Sequence, residues 1–191
     1  MIQFRPLLNA IMVVLISLTT LIGYSQNLGS IRVELEQLEL GSIELRNHVM
    51  PTIRDYGFKS PQMDSLNHAI MKFDSIALHK VQFIIDQYGW LGKSEVGVEA
   101  NRALFLTIQH AQDHLVREKY FPLLKASAEA GESDLTAMAT MQDRILVEQG
   151  EKQLYGTQSR MVNGQQELYP VEDPDELNKR RKKVGLGKME Y

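Results

Sequence analysis

The sequence predicts a mainly α, compact, multi-helix single domain with a β-hairpin near its C-terminus and a last short helix. Three observations carry this. Apolar residues recur every three to four positions over most of residues 31–146, the spacing that lines one face of a helix. The periodicity stops at Gly150, and an Asn163-Gly164 pair then stands between two β-capable runs, a signature of a tight hairpin turn. Beyond it, Asp173, Pro174 and Glu176 stand in the order of cap, first-turn proline and capping-box partner of a helix.

The first residues, MIQFRPLLNAIMVVLISLTTLIGYSQ, hold a single charge at Arg5, then an apolar run from Leu7 to Ile22 and the small residues Gly23 and Ser25. This is the pattern of a secretory signal over residues 1–25, cleaved near Ser25. An uncleaved anchor is the alternative, because the run is slightly short of the roughly 17–25 apolar residues a spanning helix needs. Either way the body, residues 26–191, is expected outside the cytoplasm, periplasmic or extracellular. A membrane is a partner only if the segment stays attached. There is no cysteine, which excludes lipoprotein anchoring, disulfides and thiol chemistry.

Removing the signal takes away Arg5 alone, so the 21 basic and 24 acidic side chains become 20 and 24. That near balance gives no electrostatic ground for nucleic acid as a partner. The length suits one domain with a core large enough to fold without disulfides.

Each element follows from its pattern. Ile31, Leu35, Leu38, Leu45 and Val49, with Ser42 in the series, mark a first helix over 31–53, which Pro51 and the YGFKSP stretch end or kink. A second runs from about Met63 to Gln87 with Leu66, Ile70, Phe73, Ala77, Val81 and Ile84 or Ile85 buried; Gly89 stops it and Trp90 follows in a loop. A third opens near Ser94 and carries Val98, Leu104, Ile108, Ala111 and Leu115 towards YFPLLKASAEAG, with a kink or restart expected at Pro122. Gly131 closes it. Ser133 is expected to cap a further helix with Leu135, Met138, Met141, Ile145 and Leu146, ending at Gly150. The last helix runs through Val184.

On one continuous third helix, His110, His114 and Glu118 would share a face and could hold a divalent metal. The stretch lacks the Glu that follows the first His in helical zinc proteases, so neither a metal nor another cofactor is expected. Asp143 and Arg144 interrupt an otherwise apolar helix. Adjacent residues point about 100° apart, so one can face the core while the other lies at its edge. Their plainest role is structural, satisfied by a His, a Tyr and several Gln amides. The functional alternative has Asp143 orienting His110 while Arg144 binds an anionic group. The basic run Lys179, Arg180, Arg181, Lys182 and Lys183 reads as a solvated helix end favoured by the helix dipole.

Three stretches, YGWLGKSEVGVEANRALFLTIQH, QDRILVEQGEKQLYGTQ and NKRRKKVGLGKMEY, together resemble a bacterial family catalogued only as a domain of unknown function, number 6624. The likeness runs from about Asp74 to Tyr191. It is most specific at Gly89-Trp90, Gln109-His110, Asp143-Arg144, Gln153, Tyr155 to Gln158, Arg180-Arg181 and Gly185-Leu186. The resemblance implies no activity. It does single out a polar set that looks like one shared cleft, in which the arm with Gln153, Tyr155, Thr157 and Gln158 closes over Gln109, His110, Asp143 and Arg144. The chain departs from the family pattern at Gln112, where an Asp is usual, at Ala77, where an Asn is, and near Ser42 and Ile43, where an Asp-Gln pair is expected ahead of Arg46.

Three functions are therefore open. The first is an exported hydrolase or transferase acting on a small polar or anionic substrate. His110, Asp143 and Arg144 would be catalytic, and Trp90, Gln109, Gln153, Tyr155, Thr157 and Gln158 would bind substrate. The second is a non-catalytic binding or interaction module of the cell envelope that uses the same residues. In the third, the same residues are a polar network pinning the hairpin to the helices.

Overall fold

The computed structural model describes residues 27–162 and 165–190. The segment read as a signal and the Asn163-Gly164 pair lie outside them. The chain is mainly helical, as its periodicity requires, and folds as one compact domain with a hairpin and a short helix at its C-terminal end.

Helix α1 spans 27–47. The break comes at His48, just ahead of Pro51, and α2 (Val49–Tyr56) carries that proline in its first turn, where the missing N–H has no intrahelical partner to lose. Helix α3 (Pro61–Tyr88) is the longest named element. It starts at Ser60, whose hydroxyl accepts the Met63 N–H at 3.1 Å. Leu66, Ile70 and Phe73 are half-buried, whereas Ala77, Val81, Ile84 and Ile85 are fully inside. Cross-links from α1 fix its register against its neighbours: Glu34 to Lys80 at 2.6 Å and Arg46 to Asp74 at 2.8 Å on α3, and Glu39 to Arg102 of the fifth helix.

The expected third helix is three elements. A single turn, α4 (Lys93–Val96), ends at Gly97, whose φ of 87° only glycine adopts readily. Helix α5 (Val98–Gln109) ends at a corner formed by residues 110–113, and α6 (His114–Glu129) starts from Asp113, whose carboxylate accepts the Leu115 N–H at 2.9 Å. Leu104, Ile108 and Ala111 are buried, but Val98 and Leu115 are 49% and 57% exposed, so the apolar series never was one face. Pro122 causes no restart. It sits on the exposed side of an unbroken α6, at the loss of one backbone hydrogen bond.

Helix α7 (Leu135–Glu148) takes Asp134 at its N-cap position. Ser133 is buried instead, bonding Ser127 at 2.8 Å and the Asn101 amide at 2.9 Å. After Gly150 the chain runs back across α7. Strands β1 (Ser159–Val162) and β2 (Gln165–Leu168) pair antiparallel, Ser159 opposite Leu168 and Val162 opposite Gln165. Gln153 also bridges Val171, which ties the start of the arm to the strand exit. Pro174–Glu176 form a 3-10 turn before α8 (Leu177–Lys183). The capping box expected there is not made. Asp173 adopts a left-handed backbone and Glu176 pairs with Lys179 at 2.8 Å. One apolar core, including Leu35, Val81, Leu104, Leu124, Met141 and Val184, joins α1, α3, α5, α6, α7 and the end of α8.

Candidate functional site

Asp143 is fully buried, and all its hydrogen bonds come from one short stretch. Its Oδ1 accepts the N–H groups of Leu154 at 2.7 Å and Tyr155 at 3.0 Å. Its Oδ2 accepts the Thr157 N–H at 3.0 Å and hydroxyl at 2.9 Å. Four donors fill the roughly four acceptor positions of a carboxylate. Asp143 therefore closes the arm onto α7, and no hydrogen bond links it to His110.

Gln153, fully buried as well, holds the same arm from inside. Its amide donates to the carbonyls of Gln158 at 2.9 Å and Tyr169 at 2.8 Å, and its oxygen accepts the Gln158 N–H at 2.8 Å. The Gln158 amide bonds the Thr157 hydroxyl at 3.0 Å. Gly156 takes a φ of 66°, and a Cβ there would lie 3.2 Å from the Met189 sulfur. Burial, and then the Asp143 carboxylate, push the Tyr155 phenol above its ordinary range.

The arginines of the basic run belong to this network and are not a freely solvated helix end. Arg180 donates to the Leu154 carbonyl at 2.7 Å and the Asp173 carbonyl at 2.9 Å. Arg181 donates to Tyr155 and Gly187 carbonyls, both at 2.6 Å. Loop carbonyls left without helix or sheet partners are what these guanidinium groups satisfy.

His110 sits in a different place. It is the first residue past α5, and its corner is made by Arg117, which is 2% exposed. Arg117 donates to the carbonyls of Gln109 and Ala111, either side of His110, and pairs with Glu148 through Nε at 2.9 Å and Nη2 at 2.6 Å. These carbonyls end a helix and need outside donors, so a buried arginine here converts a continuous helical pattern into a turn. Arg144 reaches the same Glu148 at 3.3 Å and is one-third exposed, at the core's edge while Asp143 points in.

The His110 ring is half-buried and makes no hydrogen bond among the described residues. It borders a cleft of about 470 Å³ between α3 and the α5–α6 corner, which His68, Lys72, Asp74, Ser75 and Leu78 line from α3. Asp74 is held on its far side by Arg46, at 3.0 and 2.8 Å, and Arg46 also donates to Ser42 at 2.6 Å. Burial, and then the Arg46 guanidinium, push the His110 imidazole below its ordinary range; Arg144 and Arg117 act in the same direction and Asp74 against it. The lowered pKa favours the neutral imidazole, in which one ring nitrogen is a donor and the other an acceptor that can take a proton.

Of the residues singled out in the sequence, Asp143, Gln153, Tyr155, Thr157 and Gln158 come together in the arm network. His110 lines the cleft, and Arg144 comes within electrostatic reach of it without lining the cleft itself. Gln109 is buried behind the corner with its side-chain oxygen unpaired. Trp90 is in neither group; it is buried with an unpaired indole N–H and lines a separate groove with Leu123 and Ala126. His114 opens α6, exposed and 3.9 Å from Asp113, so the turn at the corner removes the one-face geometry with His110 that a metal would need. Among the described residues no cluster of His, Asp and Glu could hold a metal ion.

The sequence did not single out His68, Lys72 and Asp74, which line the cleft, Arg46, which pairs with Asp74, or Arg117, which folds the corner, as candidates. The repeat of His68, Lys72 and Ser75 along α3 carries a legible helix-face spacing. Arg117, which folds the corner, gives no periodic signal at all.

Searches among curated proteins and solved structures returned no match to this chain. Residues 33–191 do match a family of unknown function, DUF6624, a span that takes in most of α1 and so exceeds the likeness legible from Asp74 onward. The chain belongs to the DUF6624 family.

Proposed function

We propose that this is an exported binding protein for a small anionic molecule, seated in the cleft between α3 and the α5–α6 corner with His110 as its hydrogen-bonding partner. One observation carries the reading: a half-buried histidine that makes no hydrogen bond among the described residues borders that cleft. Unlike the Gln109 oxygen and the Trp90 indole N–H, which are sealed inside, the ring nitrogens open onto the cleft, where a ligand can take the place of water. Arg144 and Arg46 add positive potential around the ring.

The test is a thermal-shift screen against carboxylates, phosphates and neutral amides. An anion that raises Tm in the wild type and has no effect on His110→Gln supports the reading. Shifts that survive in His110→Gln would refute it.

The low pKa of the His110 imidazole favours a second reading, a hydrolase or transferase in which the neutral ring acts as general base and Arg144 steadies negative charge. Following the bound molecule by NMR separates the two, since only an enzyme changes it.

A further inference from the structure

The cleft wall is unequal in what it has left to offer. Its acidic groups are largely engaged: both Asp74 oxygens accept from Arg46 at 3.0 and 2.8 Å, and one Asp113 oxygen accepts the Leu115 N–H at 2.9 Å. Its donors are not. The Lys72 ammonium, the His68 ring and the Ser75 hydroxyl form no hydrogen bond or ion pair among the described residues. These three lie at positions i, i+4 and i+7 of α3, so they stand along one face, with Leu78 one turn beyond. Met71, Leu78 and Ala111 supply apolar wall beside them.

From this asymmetry we infer that the cleft takes an amphipathic anion: an oxyanion head among Lys72, His68 and His110, and an apolar body against Met71, Leu78 and Ala111. The inference rests on the ligand-binding reading of the His110 cleft and adds the class of molecule. Its volume, about 470 Å³, falls within the roughly 300–1,000 Å³ of small-molecule sites. An amine would face the Lys72 ammonium, with the carboxylate on the same helix, Asp74, already paired to Arg46. A bare inorganic anion would leave the apolar wall wet.

The experiment follows the His68 and His110 ring signals by NMR while the protein is titrated with octanoate, octyl phosphate, acetate, inorganic phosphate or octylammonium. Saturable shifts at both rings are expected with the two octyl anions, which also distinguish a carboxylate from a phosphate head. Acetate, phosphate and octylammonium should leave the rings unmoved at the same concentrations. Lys72→Glu, an exposed position on an intact helix, should weaken octyl-anion binding about tenfold or more, as loss of a charge-assisted contact requires. Binding of acetate or phosphate as tight as octanoate would overturn the inference and leave the cleft reading standing. So would equal shifts with octylammonium or an unaffected Lys72→Glu. Silence at both rings with every probe would overturn both.

Discussion

Replacing Asp143 by Asn separates a structural role from a functional one. The substitution keeps shape and removes charge. One amide nitrogen must take the place of an oxygen. At Oδ1 it would face two backbone N–H groups, those of Leu154 and Tyr155. At Oδ2 it faces the Thr157 N–H, the Thr157 hydroxyl, which can turn to accept, and the shared Tyr155 N–H, which keeps its bond to Oδ1. The nitrogen therefore settles at Oδ2 and orphans one buried N–H, at about 1–3 kcal/mol. Weaker acceptance of the remaining bonds by a neutral oxygen adds about 1 kcal/mol, for a total of about 2–4 kcal/mol. In a domain of this size that lowers Tm by roughly 5–15 °C. Urea unfolding measures the loss, and limited proteolysis within residues 151–158 should quicken. A change below about 0.5 kcal/mol, the range of an ordinary surface substitution, would refute the network. So would loss of ligand binding with stability untouched.

Arg117→Met removes one of the two arginines on Glu148 and strips the donor from the corner carbonyls; it should cost about 1–3 kcal/mol in chemical denaturation. Pro122→Ala restores an N–H inside α6 on its solvent side and should stabilise by about 1–3 kcal/mol, less the loop entropy that proline saves. The folded-state pKa of His110 lies below its unfolded value, so the unfolded chain binds the proton more tightly. Its contribution is fully present above about pH 6.5 and is lost as pH falls towards the lowered value. Denaturation midpoints measured from about pH 8 down to pH 5 should fall less steeply in His110→Gln than in wild type.

The helical body was legible because its core residues repeat at helical spacing, and the hairpin because the Gly150 break and the Asn163-Gly164 pair flank β-capable runs. The turn at 110–113 was not. Its apolar residues continue the pattern of α5, and what bends the chain is a tertiary contact: Arg117 reaching back to carbonyls that a continuous helix would have used itself. Periodicity records which face is apolar, not which carbonyls a distant side chain satisfies. The same limit split the candidate site. Asp143 and Arg144 are neighbours in sequence but point into different surroundings, one into the arm and one towards Glu148. The residues facing His110 come from α1 and α3, dozens of positions upstream. No spacing rule connects them. Arg180 and Arg181 looked like a charged surface for a similar reason, since the carbonyls they serve belong to an arm that precedes them.

In the proposed function, His110, half-buried and without a hydrogen bond among the described residues, meets anions in its cleft while Asp143 serves the fold. An NMR pH titration of the His110 ring, with and without saturating octanoate, tests it most directly. A midpoint below about 6.5 in the free protein that rises when the anion is present is the predicted result, because a bound negative charge favours the imidazolium. A midpoint at or above the ordinary value, or one that octanoate does not move, would contradict it.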